Sequence, residues 1–201
     1  MAKRLTAYEI QLVSDSKTLL AKNRIINKVC EMFGSLADEY QQSLNKNHFN
    51  TSGLVHAKVS KGEQYKGLPY VVLDYPRQFG KVNTFAIRTF FWWGNFFSIS
   101  LHLSGNYLQQ SLPTIQSFLP EISSGDWYIS TGDDQWQHHF GEDNYETINA
   151  STVHLENRSF IKLAKKFPLH QWENVNQLFT NNFDWLLTSI CIKLQFDETN
   201  L

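Results

Sequence analysis

The chain has 201 residues, with 18 Lys and Arg against 19 Asp and Glu and a formal net charge of −1. That length suits one domain with a full core. The even charge lacks the clustered Lys and Arg on which non-specific nucleic-acid binding depends, so no nucleic-acid partner is expected. No run of about 18 apolar residues occurs, so no membrane span is expected. Met1-Ala2-Lys3-Arg4 turns polar too early for a signal peptide. Two cysteines, Cys30 and Cys191, without an export signal fit a reducing cytoplasm. The outlying quantity is aromatic content, 14%, which supplies large burial per residue.

Thr6 with Glu9 fits a capping box that opens a short helix over 7–14. A long helix is predicted over 17–44, with Leu19, Leu20, Ile25, Ile26, Val29, Met32, Phe33, Leu36, Tyr40 and Leu44 at three-or-four spacing. Residues 45–53 are polar loop, and a short strand is predicted near 54–59. Lys61-Gly62 reads as a turn. A strand over 70–75 should end at Pro76.

The aromatic hairpin follows, over 84–93 and 96–103. Gly94-Asn95 is a two-residue turn signal, since both residue types tolerate positive φ. That loop length pairs Trp93 with Phe96, Trp92 with Phe97, Phe91 with Ser98 and Ile87 with His102. One face then carries Trp92, Phe90, Arg88 and Ala86 beside Phe97, Ile99, Leu101 and Leu103, and is read as the core face. The other carries Trp93, Phe91, Thr89, Ile87 and Phe85 beside Phe96, Ser98, Ser100 and His102. Two readings of that mixed face stay open: cover by the chain's own helices or loops, or an exposed aromatic patch for a partner or ligand.

Residues 106–119 read as a helix broken by Pro113. A second hairpin is predicted from 127–130 and 136–140, then a strand over 145–148. Phe160, Leu163, Ala164 and Phe167 favour a short helix over 159–167. A last long helix over 171–195 carries an apolar stripe including Trp172, Val175, Phe179, Phe183 and Leu187.

Phosphate-loop, dinucleotide-binding, nucleophile-elbow, H-E-x-x-H and C-x-x-C patterns are absent from the sequence. The densest polar cluster is Asp133, Asp134, His138, His139, Glu142, Asp143 and Glu146. Its residue types suit metal or acid–base chemistry. They are also what turns contain, and adjacent His138 and His139 on a strand would point apart. His102, near hydroxyls on the mixed face, is a candidate general base. Arg88 on an apolar face needs a carboxylate, for which Asp74, Glu31 and Glu39 are candidates. Alternatively, Arg88 and Arg77 face a pocket and hold an anionic ligand.

The expected fold is a single α+β domain, with an antiparallel, hairpin-built sheet packed against long N- and C-terminal helices. Its parts are helical 6–45, sheet core 54–104, mixed helix and hairpin 106–167, and C-terminal helix 171–195. The leading functional expectation is a cytoplasmic binding protein that self-associates as a homodimer, or takes a small apolar molecule or a protein partner. Its anchors would be Trp93, Phe91 and Phe96, with Arg77, Arg88 and His102 as further binding residues. The rival is a hydrolase using His102 or His138 with a carboxylate, and in one version a metal. No catalytic residue, metal ligand or cofactor is assigned.

Overall fold

The computed structural model describes residues 4–151, 153–192 and 194–196. Its helices and strands are α1 (Ala7–Ser14), α2 (Ser16–Lys46), β1 (Lys58–Tyr65), β2 (Leu68–Phe79), β3 (Thr84–Trp92), β4 (Phe96–Ser104), α3 (Gly105–Ser117), α4 (Leu119–Ser124), β5 (Tyr128–Ser130), β6 (Tyr145–Thr147), β7 (Phe160–Pro168) and α5 (Val175–Trp185). The seven strands form one sheet in the order β1-β2-β3-β4-β7-β5-β6. All recorded pairings are antiparallel. The α+β expectation holds, with long helices from the two ends packed on the sheet.

Period-2 alternation sorts the central strands onto two faces. Val71 and Leu73 of β2, Phe85, Ile87 and Phe91 of β3, and Phe97, Ile99, Leu101 and Leu103 of β4 share the apolar face. It packs against Ile26, Val29, Phe33, Leu36 and Tyr40 of α2 and Val175, Phe179 and Phe183 of α5. Tyr40 stacks on Phe183, ring centroids 3.7 Å apart. Its hydroxyl, 2.9 Å from Thr89 Oγ1, satisfies the one polar side chain of β3 on this face.

The hairpin register corrects the sequence reading by one residue. Trp92, not Trp93, pairs with Phe96, and the partners continue as Phe91 with Phe97, Arg88 with Ser100 and Ala86 with His102. Three residues, Trp93-Gly94-Asn95, make the connection, with Gly94 at φ 70°. Trp93 N–H donates to Pro69 O of β2 at 3.0 Å, extending the β2–β3 pairing one residue past Trp92, while the β3–β4 pairing ends at Trp92 and Phe96. A one-residue slip moves a whole strand's side chains to the opposite face. The expected pairing of Arg88 with Leu101 on one face is therefore wrong: Phe97, Ile99, Leu101 and Leu103 face the helices with Phe91 and Ile87.

Other elements differ as well. Lys61-Gly62 lies inside β1; a side chain at Gly62 would meet the Tyr70 ring, so close cross-strand packing explains the glycine. The β1–β2 turn is Lys66-Gly67, both at positive φ. β2 passes through Pro76 by a register shift between Asp74 and Arg77. α3 continues through Pro113. The span 159–167 is strand β7, buried between β4 and β5, rather than a helix. β5 pairs with β6, leaving 131–144 as an excursion rather than a hairpin arm. The C-terminal helix is interrupted: a 3-10 turn (Leu169–Asn174), α5, then a π turn (Leu186–Ile190). Cys30 and Cys191 are free thiols. Among the described residues no helix is long and apolar enough to cross a membrane.

Candidate functional site

One candidate surface lies where the N-terminal helices pass the hairpin tip. The Thr6–Glu9 capping box is formed: Glu9 N–H donates to Thr6 Oγ1 at 3.2 Å and Thr6 N–H donates to Glu9 Oε2 at 2.6 Å. Asp15 caps the next helix through Lys17 N–H at 2.9 Å. These local bonds define α1 and the start of α2, yet neither packs into the core. No residue of α1 is buried, and burial in α2 begins at Ile26. Tyr8, Val13 and Leu19 are 68%, 74% and 58% exposed.

Beside this arm is a groove of about 730 Å³, its apolar wall formed by Leu12, Val13, Leu19, Leu68, Pro69 and Trp93. A second apolar groove of about 310 Å³ lies on the other side of Trp93, against Ile25, Leu169 and Trp172. Trp93 is half-buried and packs edge-on to Phe91, centroids 6.4 Å apart. It therefore forms the wall shared by two grooves.

The second candidate is a polar layer on the opposite face, beneath 131–144. Arg88 and Asp74 are cross-strand partners. Arg88 Nε donates to Asp74 Oδ1 at 2.6 Å, and Nη2 donates to Oδ2 at 2.9 Å. This two-pronged geometry makes the pair strong and directional. Arg88 Nη1 lies 3.0 Å from His138 Nε2; since guanidinium only donates, the imidazole nitrogen accepts.

His102 is paired across the strands with Lys162, and both are almost fully buried. His102 Nε2 lies 2.8 Å from Gln135 Oε1. Lys162 Nζ donates to the Gln137 carbonyl and sits 5.0 Å from the Tyr145 ring centre. Burial pushes Lys162 down to about 7, and the Arg88 charge pushes the same way. Burial also pushes His102 down to about 3. His138 falls well below the usual imidazole range, by burial and then by the Arg88 charge. Both imidazoles are accordingly neutral near pH 7, able to accept protons only at a cost in solvation.

The excursion is itself pinned. Tyr65 Oη accepts from His138 N–H at 2.6 Å and His139 N–H at 3.0 Å. Asp134 accepts from Trp136 N–H at 2.9 Å. Phe140 stacks on Tyr145, centroids 4.7 Å apart.

The sequence-derived candidates divide between these regions. Phe91 is buried in the helix-side core, 3% exposed, directly behind Trp93. Phe96 lies on the opposite face, edge-on to Trp92 and Phe140. The three expected anchors therefore do not share a face, because of the register slip. Arg88 takes Asp74, the first of its expected partners. Glu39 accepts from Thr180 instead, and Glu31 lies on the exposed side of α2. Arg77 Nε donates to His56 O at 3.0 Å while Arg88 is held by Asp74; each guanidinium carbon lies 5.9 Å from the Phe79 ring centre. His102 sits opposite Ala86 rather than Ile87. His138 and His139 do point apart, but from an irregular loop: His138 meets Arg88, and His139 Nε2 lies 3.0 Å from Asp143. Among the described residues no three His, Cys, Asp or Glu side chains gather to hold a metal ion.

Comparison with protein families, curated proteins and solved structures finds no match. Function therefore has to be argued from this geometry. Sequence reasoning passed over Lys162 and the Leu12–Leu19 arm. For Lys162 the signal was a lone lysine in an otherwise apolar run, Phe160-Ile161-Lys162-Leu163-Ala164. For the arm it was a short capped helix with apolar residues on more than one side.

Proposed function

We propose that this chain is a binding protein whose contact surface is the apolar strip running from α1 past Trp93 to Trp172. The observation that carries this is Trp93 itself: a large, half-exposed aromatic shared by two adjoining apolar grooves. Rigid aromatics in such positions give large contact area for little entropy loss and dominate binding hot spots. The arm adds exposed Leu12, Val13 and Leu19 to the same strip, and contiguous apolar surface of this kind marks interaction sites.

The hydrolase alternative would draw on His102 or His138 with a carboxylate. His102 and His138 are engaged by Gln135 and Arg88, and the excursion covers them, an arrangement that favours a structural role. A cytoplasmic location accompanies the binding reading, supported by the low cysteine content, and a net charge of −1 argues against a nucleic-acid partner.

The test is Trp93→Ala, with far-UV circular dichroism and binding of an anilinonaphthalene dye as joint readouts. The expected outcome is an unchanged fold with reduced dye binding. A variant that unfolds would show that Trp93 serves the core, and the reading would fail.

A further inference from the structure

We infer that the strip is occupied by a second copy of this chain, with the α1 helix of each copy lying in the groove beside Trp93 of the other. This rests on the binding reading above and names its partner.

The first argument is the state of α1. It has eight residues and buries none of its side chains. Helices shorter than about 12 residues are marginal without tertiary packing, and a cap contributes only about 1 kcal/mol. Tyr8 and Leu12 stand one turn apart on one side, while Ile10 and Val13 flank another; only Ala7, Gln11 and Ser14 leave a side without large apolar groups. A helix apolar over most of its circumference belongs in contact on most of its circumference.

The second argument is area. Leu5, Tyr8, Ile10, Leu12, Val13, Leu19, Leu20 and Ile25 are each 36% to 74% exposed. Together they expose an area on the order of the ~800 Å² that each partner gives to a standard interface.

The third argument is self-complementarity. A two-fold contact uses the same surface on both partners, so one surface must carry both the projecting part and its receptor. This surface does: Leu12, Val13 and Leu19 of the arm form one wall of a groove of about 730 Å³, with Leu68, Pro69 and Trp93 also lining it, while Tyr8 and Ile10 project from the same arm outside it. Glu9 and Asp15 are engaged in the caps of α1 and α2, and Lys22 pairs with Glu63 of the same chain, so the fit rests on apolar shape. A lipid surface would match the convex ridge and leave the concave groove unfilled.

The experiment is sedimentation velocity of the full chain across a dilution series, for the natural sequence, Val13→Asp and Leu19→Asp. Both substituted side chains are exposed in the single copy, so the fold does not depend on them. The expected result is a monomer–dimer equilibrium whose dissociation constant rises roughly thirtyfold or more in each variant. Hydrogen exchange on the natural chain gives a second readout that needs no variant. The α1 amides, including Ile10 N–H bonded to Thr6 O, should exchange more slowly as protein concentration rises.

A chain that stays monomeric at every concentration overturns the inference, as does a dimer that survives both substitutions. If the monomer still loses dye binding on Trp93→Ala, the binding reading stands and only the second copy falls. A monomer that floats with phosphatidylcholine–phosphatidylserine vesicles assigns the strip to lipid instead.

Discussion

The two faces of the central sheet are both covered, by opposite means. On one, Ile87, Phe97, Ile99 and Leu101 meet α2 and α5 through apolar contact, with the Tyr40–Thr89 and Tyr75–Gln41 hydrogen bonds joining the sheet to α2 beside them. On the other, Asp74, Arg88, His102 and Lys162 rise from adjacent strands and meet an irregular excursion that supplies Gln135, the Gln137 carbonyl and His138. Apolar contact tolerates small adjustments, because its energy follows area. The polar layer depends on particular partners, because a buried group that loses its partner keeps its desolvation penalty. An irregular segment can therefore serve as cover where a regular helix would not reach each donor.

The sharpest way to break the polar face is Arg88→Ala. It leaves Asp74 buried without its cation, and breaking a buried pair from one side costs about 3–5 kcal/mol. Urea unfolding should show that loss. The double change Arg88→Met with Asp74→Leu should recover much of it, because the stranded charge is gone as well.

On the apolar face Leu101→Ala should cost about 2–5 kcal/mol by the same measurement, from lost transfer energy plus a cavity. Unlike Arg88→Ala, no second substitution that removes a charge should restore it.

Comparable in size, but confined to one face, is the response to pH. For His102, His138 and Lys162 the folded protein disfavours the protonated form. The unfolded chain then binds more protons between each pair of values, and stability falls as pH falls. For Lys162 the window runs from its ordinary 10.5 down to about 7. For His102 it runs from 6.5 down to about 3. Stability should therefore rise from pH 7 toward pH 10, and Lys162→Met should flatten that rise. An unchanged slope in the variant would mean that Lys162 is not the group responsible.

The smallest expected effect lies outside both faces. Val13→Ser, at a site 74% exposed, should change monomer stability by no more than about 0.5 kcal/mol. Thermal unfolding at concentrations too low for association measures it.

Much of this was legible in the chain. Local signals set α1, α2 and the hairpin's existence, since a capping box, a three-or-four apolar repeat and a glycine-bearing turn act within a few residues of themselves. The rule that a buried charge needs a counter-charge narrowed the Arg88 partner to Asp74, Glu31 or Glu39, and the structure selects Asp74. What failed was non-local. The pairing of Trp92 with Phe96 belongs to a sheet in which β3 is also in register with β2 and β4 with β7, partners that the hairpin's own sequence does not show. Phe160, Leu163, Ala164 and Phe167 have helical spacing, but the vacant edge of β4 makes them a strand. Gly62 resembles a turn residue until the Tyr70 ring is seen against it.

By itself, then, the sequence determined an α+β chain with a long N-terminal helix, an apolar C-terminal helical stripe, an aromatic hairpin and an arginine in need of a carboxylate. Only the tertiary structure decided which face each hairpin residue occupies, that Phe96 parts company with Phe91 and Trp93, and that Lys162 joins His102 beneath the excursion. The physical reason is the strand's period of two. One residue of slip exchanges every inward and outward side chain of a strand, and no local pattern in the strand itself records which register the whole sheet adopts.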